Sequence, residues 1–134
     1  MSTDNLSPHF GCPHCMPDSA NAAWQARCSF PCICELIDES HYHVMVLNCP
    51  QCAQQFVSVF TETVDWVDGE DPQYWTLLPV TVEESRILIE QGGQLAVATL
   101  NSLAPERRSL TRAHPKGDEA RCSWGFGMWV GPHD

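Results

Sequence analysis

The sequence predicts an α+β fold, built as one small domain over residues 1–134. Three observations point there. Runs of alternating β-branched and aromatic residues crowd the stretch from 33 to 65. A helix-start signal at Thr81 is matched by a glycine stop at Gly92 and Gly93. Two Cys-x-x-Cys steps, Cys12/Cys15 and Cys49/Cys52, fall in the front half of a chain too short for two ordinary domains.

The elements follow in order. Residues 1–31 read as irregular, punctuated by Pro8, Pro13, Pro17 and Pro31, with one helix-permissive stretch, "SANAAWQAR", at 19–27. From 33 the pattern is β. "ICELI" leads through the turn-like "DESH" into "YHVMVL", then the Cys-Pro-Gln-Cys step, then "QFVSVFTETVDW". In that last run Phe56, Ser58 and Phe60 share one face, and Val57, Val59 and Thr61 share the other. β-branched and aromatic side chains suit a pleated, half-buried surface.

"VDGEDPQ" at 67–73 is a loop, marked by Asp-Gly and Asp-Pro. "LPVTVEESRILIEQGG" reads as a capped helix. Thr81 is its N-cap and Glu84 the reciprocal partner of a capping box. Gly92 and Gly93 stop it. "QLAVATLNSLAP" extends as a second helix ending before Pro105, so the helical region covers 81–104. The tail returns to β as a hairpin over 107–130: "RSLTRAH", the turn "PKGDE", and "ARCSWGFGMWV". Trp124, Phe126, Met128 and Trp129 in that last run are expected to form a core strand.

Charge narrows the function classes. The chain has 17 acidic and 7 basic side chains, a net charge of −10 with histidine neutral. Such a chain repels phosphate backbones, so nucleic acid is not the expected partner. The few arginines that would favour it, Arg107, Arg108 and Arg112, lie near the C-terminus. A basic protein is the expected partner. "MSTDNLSPHF" lacks the apolar segment of a signal peptide, and no apolar run reaches the roughly 18 residues of a membrane span. A cytoplasmic protein is expected.

Eight cysteines in a reducing compartment favour metal binding over disulfides. The chemistry of Cys-x-x-Cys is geometric. Two thiolates three residues apart converge when the chain turns tightly, and the backbone N–H groups of that turn point at the sulfurs. Zinc takes four such ligands in a tetrahedron, with Zn–S near 2.3 Å. A thioredoxin-like redox pair would instead open a helix, whereas "AQQFVSVF" after Cys52 is a strand pattern.

"CPQCAQQF" resembles the second knuckle of the zinc-ribbon family, and the resemblance covers about residues 32–64. Family knuckles often carry Gly after the second cysteine, where this chain has Ala53. The resemblance implies a zinc-ribbon-like β region over 28–65, with Zn²⁺ bound at Cys49 and Cys52. Two partner pairs are open. Cys32 and Cys34 lie close before Cys49, and residues i and i+2 of an extended chain share a face. Cys12 and Cys15 have the standard knuckle spacing but a longer interval. Loop length favours Cys32, Cys34, Cys49 and Cys52 as the metal ligands, leaving Cys12, Cys15, Cys28 and Cys122 for a second site.

A closed four-thiolate site leaves no position for water, so its metal is structural rather than catalytic. The leading expectation is therefore a noncatalytic protein-binding module, of adaptor or immunity type. The alternative is a metal-dependent enzyme with a Cys/His site keeping an open coordination position. "HYHV" puts His41 and His43 on one strand face as solvent-facing residues, and His9, His14 and His114 are expected at the surface, His14 being the best histidine ligand candidate. The stretch "TETVDWVDGEDPQYW" gathers Glu62, Asp65, Asp68, Glu70 and Asp71 beside Trp66, Tyr74 and Trp75. Its spacing fails the EF-hand pattern, which leaves a solvated loop or a recognition surface.

Overall fold

Among the described residues six strands form one antiparallel sheet: β1 (Cys32–Glu39), β2 (Tyr42–Asn48), β3 (Gln55–Glu62), β4 (Gln73–Val80), β5 (Arg108–His114) and β6 (Arg121–Phe126). Their order in space is their order along the chain. The architecture is seen in a computed structural model that describes residues 10–134. The readings of residues 1–9, including a surface His9, lie outside the described residues. Helix α1 (Ala20–Arg27) precedes the sheet. Between β4 and β5 the chain makes α2 (Val82–Gln91), a 3-10 turn (Gly92–Gln94) and α3 (Val97–Asn101). The fold is α+β, and the C-terminal hairpin is β5–β6. No described helix is long and apolar enough to cross a membrane.

The sheet has an apolar layer on each side. On one, Val44, Val46, Val57, Val59, Leu78 and Val80 meet Leu88 of α2, Leu95 and Leu100 of α3. On the other, Leu47, Phe56, Leu77 and Leu110 meet Ala23 and Ala26 of α1, Phe30, Cys15 and Cys49. Strand β3 lies between the layers, and its two faces divide as the alternation in its sequence predicts. Phe56 packs toward α1 with Phe30, their rings 5.5 Å apart. Val57 and Val59 pack toward α2.

Helix α1 docks through cations as well as apolar atoms. The Arg27 guanidinium lies over the Trp24 ring and donates to the Ser58 hydroxyl at 2.9 Å. Arg112 of β5 lies over both Trp24 and Trp75. Guanidinium planes suit this stacking because they are delocalised and weakly hydrated.

Helix α2 starts where its sequence predicts. The Thr81 hydroxyl accepts from the Glu84 N–H and the Glu84 carboxylate accepts from the Thr81 N–H. The three residues before the cap, Leu78–Val80, belong to β4 instead of the helix. All of β4 is hidden in the sequence reading by its loop-like start and by Pro79. That proline is tolerated because it pairs with Phe56 on β3, while the β5 ladder ends at Leu77. The second helix is shorter than expected, only Val97–Asn101.

Strand β6 also stops early. Gly127 turns the chain with φ +73°, and a Cβ there would meet Pro105 backbone at 3.0 Å. Met128 then enters the α2 layer and is buried, whereas Phe126 is 76% exposed, so the expected core strand holds only in part.

A candidate metal centre of four cysteines

The Sγ atoms of Cys12, Cys15, Cys49 and Cys52 all lie within 4.8 Å of one another. Two turns bring them there. In the second, the Ala53 N–H donates to the Cys49 carbonyl at 2.8 Å, and the Cys49 N–H to the Gln54 carbonyl at 2.9 Å. In the first, the Met16 N–H donates to the Cys12 carbonyl, also at 2.8 Å. Each turn is thus closed by the residue after its second cysteine. In the second turn that residue, Ala53, sits at φ +66°, the left-handed conformation that glycine adopts most readily.

Sulfur separations are Cys12–Cys15 3.8 Å, Cys12–Cys49 3.9 Å and Cys15–Cys52 3.8 Å. A tetrahedron with Zn–S of about 2.3 Å has edges of about 3.8 Å. A disulfide would require about 2.05 Å, and all eight cysteines are free. The donor set therefore fits one thiophilic ion. Backbone N–H groups complete the cradle: Gln51 donates to Cys49 at 3.4 Å and Cys12 to Cys15 at 3.2 Å. Cys15 and Cys49 are buried, Cys12 is half-buried and Cys52 is exposed, so the centre has one open flank.

The thiols respond unequally to this crowding. Burial works to raise Cys12, but N–H donation from Cys15 and His14, with hydrogen bonds from the Cys52 and Cys15 thiols, brings it down to about 7. Burial pushes the Cys15 thiol far up, and the neighbouring cysteines add to the rise against N–H donation from Cys12. Burial raises Cys52 as well. Four sulfurs this close cannot all ionise without a counter-charge, which a divalent cation supplies.

The partner pair is Cys12 and Cys15; Cys32 and Cys34 are not brought to the group. A β-bulge is the physical reason. Cys32 pairs with Leu47 and Cys34 with Val46, with a register shift between them. Residues directly across a sheet share a face, and Leu47 and Val46 belong to opposite layers. The two sulfurs therefore diverge, and the i, i+2 argument fails. Cys32 is exposed and Cys34 packs at the edge of the α2 layer.

The expected second set is not gathered either. Cys28 caps α1 and is exposed, and Cys122 on β6 lies near Arg112. Among the described residues, Cys12, Cys15, Cys49 and Cys52 are the one group of such ligands. His14 faces the Phe30 ring at 6.4 Å. His41 and His43 pair with different carboxylates, Glu62 at 3.0 Å and Asp38 at 3.2 Å, so they do not act as a metal pair.

Sequence reasoning missed one residue of the centre. Gln54 joins both turns to the sheet, and the signal available for it was only its place directly after the second Cys-x-x-Cys turn. Set against known protein families, curated proteins and solved structures, the chain shows no match.

Proposed function

We propose that this chain is a small scaffold holding one structural Zn²⁺ through Cys12, Cys15, Cys49 and Cys52, and that its acidic surface engages a basic protein. The observation that carries the reading is a set of four sulfurs all within 4.8 Å of one another, three of their separations matching a tetrahedral edge. With four thiolates bound, zinc keeps no position for water, so its role is to fix structure.

The partner half of the reading is supported by charge and by one exposed loop. The Asp65 carboxylate accepts from the N–H groups of Val67, Asp68 and Glu70, which fixes a tight turn. That turn leaves Trp66 87% exposed and Val67 86% exposed. Beside it, Glu62, Glu70, Asp71, Asp118 and Glu119 line a cleft of about 650 Å³. An aromatic anchor next to a field of carboxylates suits a lysine- or arginine-rich surface. An adaptor, or an immunity-type protein that neutralises a basic toxin, has this chemistry.

Metal content with X-ray absorption on the purified protein tests the first half. One zinc per chain with four sulfur neighbours is expected, and absence of metal or a nitrogen-rich shell overturns it. Affinity capture with Trp66→Ala as the control tests the second. The expected partner is basic, is released by salt, and binds the variant at least tenfold more weakly. A partner indifferent to both salt and Trp66 overturns the recognition reading.

A further inference from the structure

One side chain at the metal centre satisfies backbone groups of two distant segments as well as of its own. The Gln54 amide oxygen accepts from the Gly11 N–H at 3.0 Å. Its amide nitrogen donates to the Val80 carbonyl at 2.8 Å and to its own neighbour, the Gln55 carbonyl, at 2.8 Å. The orientation of the amide is fixed by these partners, since one is a donor and two are acceptors. Gln54 also supplies its carbonyl to the Cys49 N–H at 2.9 Å.

Each partner marks a different part of the fold. Gly11 directly precedes the first cysteine. Its φ is +76°, and a Cβ there would come within 2.7 Å of the Cys15 sulfur. Val80 ends β4, immediately before the Thr81 cap of α2. The amide therefore ties the first turn, which has no strand of its own, to the rigid corner between sheet and helix. Both amide hydrogens are in use, and every partner is a backbone group that water would otherwise have to satisfy.

We propose that Gln54 is the positioning residue of the metal centre, setting the separation of the two Cys-x-x-Cys turns so that four sulfurs meet one ion. The proposal rests on the four-thiolate reading given above. It assigns metal retention to a residue that is not a ligand, as outer-shell partners commonly do, where loss costs about 10–100-fold in metal affinity.

The test compares the full chain with Gln54→Met, which keeps the side-chain length and removes the amide, and with Gln54→Glu, which keeps an acceptor for Gly11 and loses both donors. Zinc release to excess chelator is expected to be about 10–100-fold faster in Gln54→Met. Its cobalt-loaded form is expected to show shifted ligand-field bands, a readout that a simple loss of stability does not move. Amide exchange at Gly11 should quicken in Gln54→Met and stay slow in Gln54→Glu, whose zinc release should still exceed wild type. Should Gln54→Met fail to fold, Gln54→Glu decides by the same release rate. Release within twofold of wild type with an unchanged cobalt spectrum overturns the proposal while leaving the metal site standing. A wild-type chain that takes up neither zinc nor cobalt overturns the site itself.

Discussion

The first and second Cys-x-x-Cys turns contribute two sulfurs each, and they differ in what holds them. The second is the connection between β2 and β3, so paired strands fix both of its ends. The first follows no described strand and leads into α1 only after Ser19. Its fixed points are the sulfurs, the Gln54 amide and two bonds further on: the Trp124 ring N–H to the Asp18 carbonyl at 2.9 Å, and Arg108 to the Pro17 carbonyl at 3.5 Å. A turn inside a hairpin inherits its shape from the ladder. A turn outside one must be built by the groups it meets.

Removing the ligands of the first turn separates the two most strongly. In Cys12→Ser/Cys15→Ser, metal uptake is expected to vanish and amide protection to be lost across residues 11–18. The β2–β3 ladder should stay protected, because Val44, Val46, Val57 and Val59 keep their packing. Hydrogen exchange read by mass spectrometry checks this, and a sheet that melts together with the turn would make the two regions equal. Gly11→Ala is expected to cost about 1–3 kcal/mol of unfolding free energy, read from denaturant unfolding. It combines a positive φ with a Cβ placed 2.5 Å from the Met16 Cγ.

A change at the corner to which Gln54 ties the first turn provides the reference. Thr81→Ala removes the cap of α2 and should cost about 1 kcal/mol, with metal release changing far less than in Gln54→Met. Its partner adds a pH test. Burial works to raise the Glu84 carboxyl, but the Arg107 guanidinium at 2.7 Å and the Thr81 N–H hold it below the usual glutamate value. The stabilisation is present above the ordinary glutamate value and is lost as pH falls through the depressed one. Glu84→Gln should therefore flatten the acid limb of a stability–pH curve. The smallest expected effect has the opposite sign: Ala53→Gly relieves the left-handed strain of the second turn and should stabilise by up to about 1 kcal/mol.

The same contrast explains what could be read from the residues alone. Strands β1, β2, β3 and β5 and the α2 cap were legible because each carries a local signal: alternation, or a capping box. So were Cys49 and Cys52, which lie between two runs of that kind. Strand β4 was not, because Pro79 and the preceding Asp-Pro argue against a strand unless the end of the β5 ladder is known. The partner of the second turn was misjudged for a comparable reason. Short loops favoured Cys32 and Cys34, and only the bulge in β1, a tertiary register feature, turns their sulfurs apart. Gln54 carries no pattern at all, since its two distant partners, Gly11 and Val80, are backbone groups that meet it only after folding.

The interval between the two turns also sets an order of events during synthesis. Cys12 precedes Cys49 by 37 residues, so on a ribosome the first two thiols emerge well before the second two. Until residue 52 is released and the β2–β3 hairpin closes, those early sulfurs can offer an ion only half a coordination shell. On the proposed four-thiolate reading, loading comes after the hairpin, and a nascent chain stalled before it leaves an unprotected dithiol open to oxidation or to capture by another metal.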